Sequence, residues 1–569
     1  MADQPARLTP LGKLISILLI LGLIGFGLYI VMKRSTGGKI FQGGGESESI
    51  ETEAADASGV TTVKEYKYIP RDKLPEVKGV SQYRWDDKEK ILRFSYNVWA
   101  GWLPVIAANH GTKPNPDSVF AKKYGFRLEM VLMDDPVAAR DAFAAGEVHT
   151  LWGTADMMVL LAPELVRDSR TSPRIVQQID WSSGGDGIVV RSSIKSVADL
   201  RNKTVTLAQN SPSEYYLTSL LLSAGLRPAD IKVKYTATAF EAAAAFVADK
   251  KVDACVSWAP DIYRIPELVP QTRVLSSTSD ANKLIADVYA VRADFARDHP
   301  EIVEGLVAGI FDGMDFVKKT PEQAAKWMAD AFGMKQEEIM SMRNDAHPTN
   351  FAENVQFFLN SSNPTNFERT WKSASYIYRE LGRINVPIPF DQVMDFTFIQ
   401  KLQQKGTFAH QKDESIAAFT PSNFRKVPAE SPILTQTIRI NFYPNSSNPY
   451  EPARDEYGNV VSGKLYDPNV DATLEQVARL SGQFARAVIL IEGHTDSSMK
   501  GRVPMQAVRE LSQARADAIR RALVEKFRFD PNKFSIQGKG WDVPADSSDP
   551  NNQALNRRVE ISVFPPEQK

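Results

Sequence analysis

Two stretches decide the fold: residues 142–156, AFAAGEVHTLWGTAD, and residues 245–261, AFVADKKVDACVSWAPD. Each starts with a helical run of small residues and passes through a short apolar strand. Each ends in a turn bearing a tryptophan and an acid, Trp152 with Asp156 and Trp258 with Asp261. A chain that repeats helix, strand and turn in this way builds a lobe twice. The rhythm extends around both copies. Ile91–Trp99, Phe126–Met133 and Val148–Trp152 read as strands in the first half; Thr204–Leu207, Lys232–Tyr235 and Val252–Val256 read as strands in the second. Helices from Leu103, Pro136, Pro212 and Phe240 fall between them, and Asp135-Pro136 supplies a capping acid with a first-position proline. Strands separated by helical patterns predict parallel βαβ layers. The fold class is therefore α/β with two lobes, completed by a helical region from Pro300 to Leu381.

Ligands of open α/β sheets sit at the carboxyl ends of strands, and that is where the candidate residues fall. Trp99, Trp102, Trp152 and Trp258 lie at or just beyond strand ends and predict an aromatic-lined cleft. Ser211-Pro-Ser213-Glu214 opens a helix, so Ser213 and free backbone N–H groups offer an anion site. The same four residues also read as a capping box, which would occupy Ser211 and Glu214. Asp156, Asp261 and Asp287 suit a cationic group against the aromatic rings, while Asp156 and Asp261 equally read as helix caps. The charge of the ligand stays open. Ser182-Ser-Gly-Gly-Asp-Gly187 is glycine-rich but lacks a strand–GxGxxG–helix context, and it reads as a hinge or crossover.

Three segments carry a resemblance. Ile194-Lys-Ser-Val-Ala-Asp-Leu-Arg-Asn-Lys-Thr-Val-Thr-Leu207, Gly225-Leu-Arg-Pro-Ala-Asp230 and Val252-Asp-Ala-Cys-Val-Ser-Trp-Ala-Pro260 resemble periplasmic solute-binding proteins, in particular those for nitrate, sulfonate, taurine and thiamine precursors. The resemblance implies a two-lobed periplasmic-binding-protein (type 2-like) domain over 67–402 that closes on a small-molecule solute. A transporter permease or another envelope protein is the partner that such a domain implies.

After a polar linker at 403–432 the pattern changes. Thr435–Tyr443, Val488–Glu492, Phe534–Gly540 and Asn556–Val563 read as strands, Leu474–Phe484 and Leu511–Phe527 as helices, and 444–470 as an irregular insert. Gly493-His-Thr-Asp496, Leu511-Ser-Gln-Ala-Arg-Ala516, Gly538-Lys-Gly540 and Asn556-Arg-Arg-Val-Glu560 closely resemble the motifs of the OmpA-like peptidoglycan-binding domain, in the same order. That resemblance implies a small α+β domain over 433–569. It further implies that Asp496 and Arg515, with Thr495 beside them and Arg558 as a second basic contact, bind the peptide stem of peptidoglycan at its diamino acid. A carboxylate would meet the ammonium and a guanidinium the carboxylate. Val508 stands where the family usually has Asn, which puts one polar contact in doubt.

At the other end, Leu14–Met32 is 19 residues of apolar and glycine composition broken only by Ser16. That is long enough to cross ~30 Å of hydrocarbon. It is too long, and too poor in small residues at its end, for a cleaved signal. It predicts one transmembrane helix in the lipid bilayer, preceded by a cytoplasmic stretch 1–13 and followed by a flexible linker 33–66. Flanking Lys and Arg residues do not orient it. Peptidoglycan lies outside the cytoplasmic membrane, so the wall domain implies an inner-membrane protein with its N-terminus inside and its bulk in the periplasm.

Composition narrows the rest. The 569 residues hold 68 Lys+Arg and 69 Asp+Glu, a balance without global pull toward nucleic acid. A single cysteine, Cys255, excludes a disulfide framework and a multi-cysteine metal cluster. No His-Glu-x-x-His, Walker or Gly-x-Ser-x-Gly motif occurs, so neither an enzyme nor a resident metal or cofactor is expected. Two further readings compete with a receptor. One is a structural tether whose clamp holds no ligand. The other is a motor-stator component, ranked last because the span has no acid to carry protons.

Overall fold

The structure is a computed structural model. It describes residues 66–415 apart from 72–73, and 434–564 apart from 444, 546 and 553–555. The expected span Leu14–Met32, nearly all of the linker 33–66 and residues 416–432 of the second linker lie outside the described residues. Among the described residues no helix is long and apolar enough to cross a membrane. All described residues belong to one compact unit, Thr52–Lys569.

The first lobe holds a six-stranded sheet in the order Ala346–Pro348, Pro173–Ser182, Ala286–Arg292, Thr150–Thr154, Ile91–Tyr96 and Arg127–Leu132. The second holds five strands in the order Lys232–Thr236, Thr204–Ala208, Ala254–Trp258, Asp186–Arg191 and Thr272–Ser277. Strands recognised in the sequence pair in parallel, Ile91–Tyr96 against Arg127–Leu132 and Thr204–Ala208 against Lys232–Thr236. The sheets are nevertheless mixed, not parallel throughout. The chain leaves the first lobe along Pro173–Ser182 and returns along its neighbour Ala286–Arg292. It enters the second lobe along Asp186–Arg191 and leaves along its neighbour Thr272–Ser277. Strands that carry a chain out and back side by side must pair antiparallel. The glycine-rich stretch 182–187 contains the outward crossing, as its composition predicts.

Cys255 is fully buried in the second lobe's core with Val189, Phe246, Val252 and Ile262. The helices after Pro300 pack mainly on the first lobe, and Phe367–Glu380 also reaches the second-lobe helix Pro212–Ser223. The linker does not begin at 403. Phe408 is buried against Phe311 and Phe351, and the Gln411 side chain accepts from the Phe351 N–H, so the clamp continues through this stretch.

The C-terminal module is a four-stranded sheet in the order Leu434–Ile438, Val559–Phe564, Val488–His494 and Phe534–Gly540. Helices Val470–Gln483 and Met505–Phe527 accompany it. The second helix starts six residues before the expected Leu511, because Met505-Gln-Ala-Val-Arg-Glu510 are mostly good helix formers following Pro504. The insert is not wholly irregular: Pro452–Arg454 and Val460–Leu465 form a hairpin. Sheet and helix approach so closely that a Cβ on Gly493 would lie 2.1 Å from the Ser512 carbonyl oxygen. Only glycine fits there. The module rests on the clamp's return crossing. The Lys283 N–H donates to the Gln483 carbonyl at 3.0 Å and the Arg486 N–H to Asn282 Oδ1 at 3.2 Å, beside an Arg369–Glu475 ion pair.

Candidate functional site

Two places gather the candidate residues. The first is the junction of the lobes, where strands end in the turns noted in the sequence. The lobes are shut on each other. Tyr263 of the second lobe donates to Asp345 Oδ1 at 2.9 Å, and Arg383 of the first pairs with Glu214 at 3.6 Å and hydrogen-bonds Asn210. Trp99 is buried and its indole N–H points at the Asp180 carboxylate, 3.2 Å to Oδ2. Trp152 and Trp258 are each 3% exposed, and neither indole N–H has a partner. Asp156 accepts from the Thr154 hydroxyl at 2.6 Å and the Tyr378 hydroxyl at 3.0 Å.

Other candidates have internal duties. Trp102 is fully buried, edge-on to Phe94, and its N–H donates to Asn97 Oδ1 at 2.8 Å; it is core, not cleft wall. Asp261 opens helix Asp261–Leu268, fully buried, and its charge bears on Cys255 in the second-lobe core. Ser211 does not close a capping box. Its hydroxyl donates to the Ala208 carbonyl at 2.9 Å, and Glu214 Oε2 accepts from the Asn210 N–H instead. The positive end of this helix therefore faces a carboxylate of its own chain, itself paired with Arg383 at 3.6 Å. Ser213 is fully buried with an unpartnered hydroxyl.

The junction also holds Asp287, noted in the sequence, and three acids that sequence reasoning passes over as ligands, Asp180, Asp186 and Asp345. Asp180 and Asp287 stand opposite each other on antiparallel strands and share a hydrogen bond; burial raises both, with the charge of Asp186 adding to Asp180 and those of Asp180 and Asp186 adding to Asp287. Burial pushes Asp186 up to about 7, helped by the charges of Asp156 and Asp345, and pushes Asp156 and Asp345 up to about 6. The signal for Asp186 is in the sequence: an acid held between glycines at a crossover.

The second place is a cavity of about 600 Å³ in the C-terminal module, lined by Phe442, Thr495, Asp496, Arg515, Arg557 and Arg558 among others. All four wall-site candidates meet here. Asp496 caps the turn Ser497–Met499 through the Ser498 N–H at 2.8 Å and lies 3.4 Å from Arg557 Nε. Arg515 lies over the Phe442 ring at 4.9 Å and donates to the Ser446 carbonyl at 3.1 Å. The Thr495 hydroxyl is buried without a partner. Arg558 lines the cavity but is committed elsewhere: its Nε donates to Glu560 at 2.6 Å and its terminal nitrogens to the Val543 carbonyl. Arg557, with its side chain 59% exposed, is the accessible second base. Val508 is buried and is not among the lining residues, so this position itself adds no polar contact to the cavity. Burial and Arg558 push His494 down to about 4, leaving a neutral imidazole on the cavity wall at pH 7.

The chain matches two family models, "OmpA family" over residues 462–558 and "NMT1/THI5 like" over residues 181–324. Among curated proteins it is 30% identical to outer membrane protein Omp38 of Acinetobacter baumannii over 131 residues, 23% of this chain and 31% of that protein. It is 29% identical to a putative binding protein of Brucella abortus over 141 residues, 24% of this chain and 44% of that protein. The chain thus spans less than half the length of these relatives. The taurine-binding periplasmic protein of Escherichia coli is 25% identical over 221 residues, 37% of this chain and 66% of that protein. Among solved structures, the periplasmic aliphatic sulphonate binding protein of Escherichia coli superposes with a TM-score of 0.42 at 20% identity, covering 53% of this chain and 96% of that one. The chain is thus similar to NMT1/THI5-like solute-binding proteins over residues 181–324 and to the OmpA family over residues 462–558.

Proposed function

We propose that this chain is a membrane-anchored receptor of the bacterial envelope that captures a small solute between its lobes while its C-terminal module grips peptidoglycan. The observation that carries the proposal is the pairing, on one chain, of a closed two-lobed clamp with a cavity presenting an acid and two bases. Asp496 and the Arg515–Arg557 pair suit a zwitterionic group, a carboxylate toward its ammonium and guanidinium forks toward its carboxylate. The stem's diamino acid offers both charges. In this reading the apolar run Leu14–Met32 is the anchor, and a wall-binding module beyond it supports a periplasmic position for the rest of the chain. The printed names of the relatives, a taurine-binding and an outer-membrane protein, agree with a location outside the cytoplasm. A permease or another envelope protein is the natural recipient of a captured solute.

Two assays separate the halves. Full-length protein is sedimented with purified sacculi, comparing wild type with Asp496→Ala and Arg515→Ala. Mass spectrometry of small molecules released on denaturation tests the clamp. A chain that sediments but never carries or binds a solute is a tether, not a receptor.

A further inference from the structure

The acids at the lobe junction lack cationic partners. Asp156, Asp180, Asp186, Asp287 and Asp345 are each at most 8% exposed, and among the described residues none forms an ion pair. The charges that bear on them are chiefly one another's. The nearby Arg383 pairs with Glu214 and hydrogen-bonds Asn210, with its Nη1 left without a hydrogen bond among the described residues. Three of the five are satisfied within the protein: Asp156 by Thr154 and Tyr378, and Asp180 and Asp287 by each other.

Two are not. Among the described residues, Asp186 Oδ1 and Asp345 Oδ2 are buried and have no hydrogen-bond partner. An unmatched buried acceptor is costly, and a buried carboxylate more so. The two belong to one cradle. The Asp345 carbonyl accepts from the Ser183 N–H at 2.7 Å, and Tyr263 bridges Gly184 O and Asp345 Oδ1. A Cβ on Gly185 would strike the Trp99 ring at 2.4 Å and Asp345 at 2.9 Å, so the crossing threads between those two side chains. Asp186 is directly opposite Trp258 on the neighbouring antiparallel strand, so both side chains leave the same face of the sheet. The Trp258 indole N–H and the Ser183 hydroxyl are likewise buried and unpartnered. The cradle thus lacks one thing: a group that donates to two carboxylates, suits an indole face and accepts from an N–H.

We propose that the clamp's solute is a small organic cation, an amine or quaternary ammonium that also carries a hydrogen-bond acceptor, held between Asp186 and Asp345 against Trp258. This rests on the receptor reading above and names its ligand class. It departs from the anionic groups in the names of the sulfonate-binding relatives.

The test is tryptophan fluorescence titration of the full-length protein in detergent with ethanolamine, choline and acetylcholine, against ethanesulfonate and nitrate. The expected result is saturable binding of at least one amine and none of the anions, with Asp186→Asn and Asp345→Asn each weakening it roughly 30-fold or more. Two variants are used because either alone could disturb the crossing. Binding of ethanesulfonate or nitrate without any amine overturns the cation while leaving the receptor. An amine that binds both variants as tightly as wild type overturns the assigned place. Silence from all five probes overturns the cation, while the receptor reading then stands or falls on the mass spectrometry of released small molecules.

Discussion

Asp186 makes a pH-dependent stability that one substitution should abolish. Burial raises its carboxyl to about 7, from an ordinary 3.8 that the unfolded chain restores. The folded state therefore binds this proton more tightly than the unfolded state. Stability contributed by the protonated form is fully present below about pH 4 and is lost as pH rises through about 7. Each pKa unit is worth about 1.4 kcal/mol, so complete ionisation costs the folded state on the order of 4 kcal/mol. Asp186→Asn removes the titration and keeps an oxygen for the Ser182 hydroxyl, which donates to Asp186 Oδ2 at 2.6 Å. The groups facing it, Asp156, Asp345, Asp180 and Asp287, still titrate in the variant. Urea denaturation of the full-length protein, followed by tryptophan fluorescence at pH 5 and pH 8, reads the difference. The variant should gain on wild type as pH rises, the gap widening by about 2.5 kcal/mol over that interval. A gap that is constant, or that narrows toward pH 8, would refute a desolvated acid at this position.

Other expectations follow from the same geometry. An amine solute should bind more tightly at pH 8 than at pH 5, because it favours the ionised forms of Asp186 and Asp345 and must expel their protons; isothermal titration in buffers of different ionisation enthalpy would register proton release. Arg558→Ala should lower the module's melting temperature, since it strands Glu560, whereas Arg557→Ala should leave stability unchanged and weaken sacculus binding. Gly493→Ala should destabilise the module by about 1–3 kcal/mol in denaturant titration, because its Cβ meets the Ser512 carbonyl. A double-mutant cycle on Arg369 and Glu475 should return about 0.2–1 kcal/mol of coupling, as expected for a partly exposed ion pair joining clamp and module.

Much of the architecture is legible in the chain because local patterns carry it. The strand end at Trp258, the crossing at 182–187 and the motifs around Asp496 and Arg515 lie where the sequence puts them, whereas the strand expected to end at Trp152 runs on to Thr154. What stays hidden is what only long-range pairing decides. Ala286–Arg292 is a uniformly buried run whose place between Thr150–Thr154 and Pro173–Ser182 no local period reveals. The same holds for partners. Trp102 reads like Trp99, but Asn97 claims its N–H while Asp180 claims that of Trp99. Arg557 and Arg558 are adjacent, and only the Val543 carbonyl and Glu560 reveal which is free to meet a ligand. Asp186 and Asp345 are 159 residues apart, and folding alone brings them to one cradle.

The central claim is that one chain holds both the wall and a solute, and sedimentation with purified sacculi tests the wall half most directly. Full-length wild type should pellet with sacculi and be released by a soluble stem peptide bearing the diamino acid. Asp496→Ala and Arg515→Ala should each lose roughly tenfold or more in affinity, as expected for deleting one charge-assisted contact. Equal pelleting by all three proteins, or none by wild type, would contradict the account.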